Sequence, residues 1–261
     1  MAEAYAWLDH HLRGVENEVP TWTEVNNQVM FTYETAPAPG GGPNTVVVPA
    51  RREPRQTWEE VTTSTERWFL ADAAFGSRDG SLTTDPADGW SRAFTAGALT
   101  DATAMDGIVQ TGKAEWSGNP KVYEIEKFDR QALAVWATAP LSADAGQDAG
   151  RRIRGIPTVH LSVRSSAAST TLAAYLFDIA EDNTARIITH EPYTLSELVP
   201  DQDVTITWKL QAAAYDVPAG HRVALVINSK DQLYSDATVD GSTTTVTSPA
   251  GQPSRLELPL G

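Results

Sequence analysis

The residue sets that perform hydrolytic chemistry are absent from this sequence. A serine nucleophile on a tight strand-to-helix turn has the spacing glycine-x-serine-x-glycine, and no such string occurs. The nearest segment, Gly76-Ser77-Arg78-Asp79-Gly80, places serine directly after the first glycine and therefore has the wrong spacing. A cysteine nucleophile is excluded because the chain has no cysteine. The sequence therefore predicts no catalytic residue.

The histidines do not have the spacing of a metal site. His10 and His11 are adjacent, and adjacent residues on a helix point to different sides, which does not suit shared coordination. His160 falls on the polar side of a predicted strand, which favours a surface position. His221 follows a turn, where a structural hydrogen bond is favoured over catalysis. We therefore expect no metal ion and no cofactor.

Three aspartates suggest a calcium loop, since carboxylate oxygens are the ligands that Ca²⁺ prefers. They are Asp231, Asp236 and Asp240. Their spacing matches no calcium motif, so solvated loop carboxylates are the favoured interpretation.

Three arginines form the most basic short segment of the second half of the chain. Arg151, Arg152 and Arg154 lie close in sequence to Asp144 and Asp148. This arrangement indicates a solvated, internally balanced loop rather than a phosphate site.

Eight tryptophans are many for 261 residues. Trp22, Trp90 or Trp116 could stack on a sugar ring. Packing within a core or between domains is the commoner role of such side chains.

The composition excludes several classes of protein. The formal net charge is −14, which argues against binding to nucleic acid or to an anionic membrane surface. No apolar run reaches the length of a membrane span, and the N-terminus lacks a signal-peptide core. Without cysteine the compartment stays open, cytoplasmic or secreted, with any export signal expected upstream of Met1.

One helix is predicted, at the N-terminus. Ala4, Trp7, Leu8 and Leu12 recur at spacings of three and four residues, which is typical of an amphipathic helix. Gly14 suits the position after its C-terminus. We expect a helix over residues 3–13.

Strands account for the rest of the predicted structure. Residues 204–210 alternate apolar and polar side chains, and we expect Pro218-Ala219-Gly220 to form a type I turn from which residues 222–228 return as a second strand. Residues 171–179 are apolar on both faces and indicate a central strand. Further strands are predicted at 29–34, 58–63, 67–71, 133–137, 158–164, 187–188, 244–247 and 256–260. A flexible loop is expected at 36–43 and an irregular connection at 83–120.

Many short strands joined by turns rich in glycine, proline and aspartate, with one helix, predict an all-β protein. The preferred architecture is a jelly-roll β-sandwich.

The order of several motifs resembles the X-Pro dipeptidyl-peptidases and the cocaine-esterase-type hydrolases. The segment from Trp7 to Gly14, followed by Glu16-Asn17, is similar to the family's W-F-D-x-x-L-K-G-x-x-N segment. The other matching segments are 28–35, Gly80-Ser81-Leu82, 137–141, 154–163, 172–178 and Val217-Pro218-Ala219-Gly220-His221-Arg222-Val223. They follow one another over nearly the whole chain, and residues 83–120 have no counterpart.

The resemblance implies a domain organisation. The family joins an α/β-hydrolase domain, which carries serine, aspartate and histidine, to a C-terminal jelly-roll domain similar to galactose-binding folds. The implied catalytic residues lie upstream of Met1, and none has a counterpart here. Residues 1–17 would then be the terminal helix of the hydrolase domain, and residues 18–261 the C-terminal β-sandwich domain.

The leading hypothesis is a non-catalytic domain that braces an upstream α/β-hydrolase domain of the same polypeptide and shapes its substrate pocket. Trp7, Trp90 and Trp116 are the candidates for interdomain contact or pocket lining, and a homo-oligomer is possible. The alternative is a self-standing carbohydrate-binding jelly-roll module, and a third hypothesis is an enzyme with an unrecognised site. The parent's substrate, a prolyl peptide, an ester or an amide, stays open.

Overall fold

Strands dominate the residues that the computed structural model describes, which are 2–30, 32–37, 43–48, 51–73, 77–104, 121–143 and 149–261, with only the backbone described at 32–37, 43–48 and 149. The strands are β1 (Val25–Gln28), β2 (Thr32–Pro37), β3 (Pro43–Val48), β4 (Arg52–Arg55), β5 (Ser64–Ala71), β6 (Gly80–Thr83), β7 (Trp90–Thr95), β8 (Tyr123–Glu124), β9 (Leu133–Ala137), β10 (Ala149–Gly155), β11 (Thr158–Ser165), β12 (Thr170–Ile179), β13 (Thr184–Leu195), β14 (Val204–Lys209), β15 (Ala213–Pro218), β16 (Arg222–Asn228), β17 (Thr243–Ser248) and β18 (Arg255–Leu260).

The helix α1 (Ala2–Arg13) confirms the helix predicted from the apolar periodicity. It ends at Gly14, whose φ of +67° is a conformation that glycine adopts without strain. Arg13 pairs with Asp9 one turn earlier, at 2.8 Å between Nη1 and Oδ1. No described helix is long and apolar enough to cross a membrane.

The four strands after α1 form one long hairpin. Val25 lies opposite Arg55 and Gln28 opposite Arg52, and the same register continues from the pair Thr32–Val48 to the pair Pro37–Pro43. Of the predicted strand at 29–34, residues 32–34 belong to β2, whereas residues 29 and 30 follow the end of β1 and lie in no strand. Of the predicted loop at 36–43, residues 36, 37 and 43 belong to β2 and β3. Residues 31, 38–42, 49 and 50 lie outside the described residues.

The central strand β12 confirms the prediction for residues 171–179, since every residue of β12 is buried. It pairs antiparallel with β13 and β16, and β16 pairs with β9. Leu172, Ala174 and Leu176 contribute to one core cluster, whereas Tyr175 and Phe177 contribute to a second one. The two faces of this strand group are thus both covered.

The strand β11 organises the opposite side of the first cluster. It pairs with β14, β17 and β18, and its Val159, Leu161 and Val163 share the first core cluster with Ile206 and Trp208 of β14. The buried and exposed residues of β14 alternate as predicted. The pair β5–β6 connects β18 to β9, and β6 runs parallel to β9, so the main sheet is continuous and mixed.

The predicted return of residues 204–210 through a turn into residues 222–228 is wrong. The strand β15 intervenes and pairs with β10, so β14 and β16 lie in different strand groups. In the turn, His221 N–H donates to Pro218 O at 3.3 Å, which places Gly220 third with a φ of +84°. A positive φ at the third position characterises a type II turn, not the type I turn expected.

Two further predictions need correction. Residues 58–63 are not a strand, because Trp58–Glu60 form a 3-10 turn and β5 begins only at Ser64. The connection at 83–120 is not irregular throughout, since β7 pairs with β17. Its threonine, serine and arginine residues hide the alternation that identifies other strands. Residues 105–120 lie outside the described part of the chain.

Candidate functional site

The hairpin is fastened to the main sheet by a buried ion cluster. Arg154 of β10 is fully buried and donates from Nε to Oε2 of Glu53 at 2.8 Å and from Nη2 to Oε1 at 3.0 Å. Its Nη2 also donates to Oδ1 of Asp216 in β15 at 2.7 Å. The Nη1 atom donates to the backbone oxygens of Ile153 and Tyr215. Three segments that are distant in sequence therefore meet at one guanidinium group.

Further arginines surround the same carboxylates. Arg152 Nη2 donates to Glu53 Oε1 at 2.5 Å, and Arg51 Nη2 donates to Glu53 Oε1 and to Asp216 Oδ2, both at 2.9 Å. Arg55 Nη2 lies 3.5 Å from Glu53 Oε2. We call these six side chains the Glu53 cluster: Arg51, Glu53, Arg55, Arg152, Arg154 and Asp216.

The electrostatics of the cluster favour an ionised Glu53. Burial opposes ionisation and raises its pKa, but the hydrogen bonds and charges of Arg154 and Arg152 outweigh burial and lower the pKa to about 2. Burial also opposes the charged form of Arg154 and so lowers its pKa, but its partners Glu53 and Asp216 outweigh burial and raise the pKa. Each charge is thus stabilised by the other.

The prediction for the three arginines as a solvated, balanced loop is wrong. They lie on strand β10, and their partners are Glu53, Asp216 and, for Arg151, Glu66 at 2.7 Å. Asp144 and Asp148 lie outside the described residues. The carboxylates nearest in sequence were the wrong partners to consider, because strand pairing brings carboxylates from distant segments to these arginines. A usable signal was Asp216, a single charge among the largely apolar residues 213–218.

An apolar groove lies beside the hairpin. Its volume is about 670 Å³, and its walls include Gln28 of β1, Ala213 of β15 and three exposed apolar residues, Met30, Trp58 and Ile156. The Met30 N–H donates to Ala214 O at 2.7 Å, which holds the hairpin against this wall. Large apolar side chains gathered around a concave surface are typical of a binding or docking region.

The helix α1 presents a second apolar surface. None of its residues is buried, and Trp7, Leu8 and Leu12 are 48%, 42% and 74% exposed. Glu3 pairs with Arg52, and Arg52 lies opposite Gln28, which lines the groove. Glu3 of α1 is therefore linked to the groove through one residue pair of β1 and β4.

His221 makes the structural hydrogen bond predicted for it. Its Nδ1 donates to Asp178 Oδ1 at 2.8 Å, and the hydroxyl of Tyr215 donates to Asp178 Oδ2 at 2.9 Å. Burial raises the pKa of Asp178, while His221 and Tyr215 act in the opposite direction. His160 is half-buried rather than on the open surface, with Nδ1 3.3 Å from Thr207 Oγ1.

The three aspartates considered for calcium do not come together. Asp231 is buried, contrary to the prediction of a solvated carboxylate, and accepts from the Tyr175 hydroxyl at 2.5 Å and from the backbone N–H of Ala104 at 2.7 Å. Asp240 pairs with Lys230 at 3.0 Å. In the described ranges, no three histidine, aspartate or glutamate residues are grouped so that they could hold a metal ion.

The tryptophans singled out from the sequence occupy different environments. Trp7 is exposed on α1. Trp90 is half-buried, donates from Nε1 to Leu70 O at 3.0 Å and lies 5.8 Å from the ring of Trp136. Trp22 is partly exposed, and Trp116 lies outside the described residues.

Comparison with protein families identifies the class to which this architecture belongs. The family described as the X-Pro dipeptidyl-peptidase C-terminal non-catalytic domain matches residues 24–257. The chain belongs to this family. The resemblance inferred from the ordered sequence motifs is thereby confirmed. Among curated proteins, none matches the chain.

Solved structures share the fold at low sequence identity. An α-amino acid ester hydrolase matches with a TM-score of 0.63 and 15% identity over 81% of this chain and 39% of its own. An aminopeptidase from a marine sediment archaeon, Thaumarchaeota archaeon, has a TM-score of 0.62 and 15% identity over 97% of this chain and 42% of its own. A CocE/NonD family hydrolase from Staphylococcus aureus has a TM-score of 0.61 and 10% identity over 99% and 45%. The chain thus spans less than half the length of these structures.

Proposed function

We propose that this chain braces an α/β-hydrolase domain of the same polypeptide and forms one wall of its substrate pocket. The observation that carries the proposal is the exposed apolar stripe of α1, a helix whose Glu3 pairs with Arg52, opposite Gln28 of the groove. A short helix with no buried residue gains little stability from tertiary packing. A partner surface that covers Trp7, Leu8 and Leu12 would supply that packing.

The comparisons support this assignment of α1. The family match begins at residue 24, after the helix, whereas the structural matches to the aminopeptidase and to the CocE/NonD family hydrolase extend over 97% and 99% of the chain. We therefore assign residues 1–17 to the edge of the hydrolase domain and residues 18–261 to the C-terminal domain. Residues 1–17 then provide the interface with the hydrolase domain, and residues 18–261 provide the scaffold that supports it.

The finer architecture that we propose is a jelly-roll β-sandwich of the galactose-binding type. The support is the pair of core clusters on the two faces of β12 and β16 and the almost entirely antiparallel pairing. Within this arrangement, Trp7 is the interdomain contact, and Trp90 and Trp116 are the candidates for lining the pocket. The reaction is hydrolysis by a serine nucleophile in the partner domain, on a prolyl peptide, an ester or an amide.

Deletion of residues 2–14 tests the role of α1. Because the helix has no buried residue, we expect the thermal midpoint of the shortened chain to fall by no more than about 2 °C, in keeping with a stability change within about 0.5 kcal/mol. The control is Leu70→Ala, a fully buried core residue, for which a loss of about 2–5 kcal/mol is expected.

A large loss of monomer stability on deletion would contradict the proposal, because it would show that α1 belongs to the fold of this domain. The partner itself is tested by the reading frame upstream of Met1. We expect it to encode a glycine-x-serine-x-glycine segment followed by aspartate and histidine. A stop codon directly upstream would refute the assignment of a hydrolase partner in the same polypeptide.

A further inference from the structure

We propose that Arg51 and Arg152 form an oxyanion-binding site on the outer side of the Glu53 cluster. The ligand class is a carboxylate or a phosphate-type anion. The site is separate from the apolar groove and depends on no property of the partner domain.

The first argument is the charge of the cluster. It contains four guanidinium groups and two carboxylates, so two positive charges lack a counterion within it. The neighbouring arginines do not share this surplus, because Arg52 pairs with Glu3 and Arg151 with Glu66. A local positive surplus is notable in a chain with a net charge of −14. Oxyanions are attracted to such a site at short range.

The second argument is the convergence of the two arginines. Arg51 and Arg152 each donate from Nη2 to the same oxygen, Oε1 of Glu53, at 2.9 and 2.5 Å. Their guanidinium groups must therefore lie close together, although their charges repel. Glu53 Oε1, which also accepts from Arg154, offsets only part of this repulsion, and an anion on the solvent side of the two guanidinium groups would reduce it further. Arginine pairs are suited to this role because each planar group presents two parallel N–H donors to an oxyanion.

The third argument is an unused donor. The Nε of Arg152 is buried but has no hydrogen-bond partner among the described residues. Asp216 Oδ1 is 3.8 Å from this Nε, which is too long for a hydrogen bond. Buried donors without a partner are rare in native proteins, so an acceptor from outside the chain, an anion or an ordered water that bridges to it, is expected there.

The site can be reached from solvent. The side chain of Arg51 is 58% exposed and that of Arg152 is 25% exposed, whereas Arg154 is fully buried and engaged in the cluster. The buried arginine thus fixes the two carboxylates, and these in turn hold the two outer guanidinium groups. Arg51 is therefore the more accessible of the two groups to an anion from solvent.

Isothermal titration calorimetry of the whole chain tests the proposal. Inorganic phosphate and acetate are titrated separately at pH 7 and constant ionic strength, so that charges are screened equally in both titrations. We expect saturable binding at one site. Arg51→Gln should weaken it at least tenfold, because this variant removes a charged donor from an exposed position. Arg67→Gln, which alters an exposed arginine paired with Glu257, is the matched control and should bind as the wild type does.

The two ligands distinguish the source of the anion. Saturation by phosphate alone supports a free phosphate-type ligand, and equal saturation by acetate supports a carboxylate, such as an acidic side chain of another domain. Absence of saturation with both anions overturns the proposal, as does equal binding by the wild type and Arg51→Gln. Arg152→Gln provides a second variant, and if it fails to fold, the result for Arg51→Gln decides.

Discussion

Replacement of Glu53 by glutamine tests whether the Glu53 cluster stabilises the fold. The folded pKa of about 2, compared with an ordinary value of 4.5, corresponds to about 3 kcal/mol at neutral pH, at about 1.4 kcal/mol per pKa unit. Glutamine removes the charge that offsets Arg154 and Arg152, and loss of one partner from a buried ion pair costs about 3–5 kcal/mol. We therefore expect Glu53→Gln to lower the free energy of unfolding by about 3 kcal/mol at pH 7.

The pH dependence makes this prediction specific. A carboxylate whose pKa is lowered by folding stabilises the protein above its unfolded pKa and loses this contribution as the pH falls through the folded value. The difference between wild type and Glu53→Gln should be constant above about pH 5 and should shrink between about pH 4.5 and 2. Urea denaturation at several pH values measures it, with Glu16→Gln, an exposed carboxylate, as the control. A difference below about 1 kcal/mol at pH 7, or one that does not change with pH, would refute the electrostatic argument.

Three further results are expected. Gly220→Val should destabilise the protein by about 1–3 kcal/mol in thermal or urea unfolding, because valine resists the φ of +84°. The Cβ of the new valine would also lie 2.6 Å from Glu181 Oε1. If Gly220→Val costs the same stability when Glu181 is replaced by alanine, backbone strain rather than this clash is responsible. Tyr175→Phe should cost about 1–3 kcal/mol, since it removes a donor from buried Asp231, and an unchanged urea midpoint would contradict this. The purified chain should hydrolyse neither prolyl-arylamides nor aryl esters, and turnover that titrates with a serine-directed inhibitor would show otherwise.

The sequence predicts those elements whose side chains follow one simple period. Helix α1, the buried strand β12 and the alternating strand β14 were all identifiable because one or both faces are consistently apolar. The strands β7 and β10 were missed because their arginine residues interrupt the alternation. A segment rich in long polar side chains is predicted to be a loop, because the sequence does not show the distant residues with which these side chains pair. Strand β15 was missed as well, since Asp216 interrupts a short apolar segment.

The candidate site could not be derived from the sequence, because its residues are distant in sequence and only strand pairing brings them together. Gln28 of the groove, Glu53 of the ion cluster and Glu3 of α1 become neighbours through the register that sets Gln28 against Arg52. That register is in turn anchored to the main sheet by Arg154, which is fully buried. If the cluster weakens, the hairpin, the groove wall and the support of α1 should loosen together. The charge cluster is therefore the feature that links the stability of this domain to its proposed role in bracing a partner.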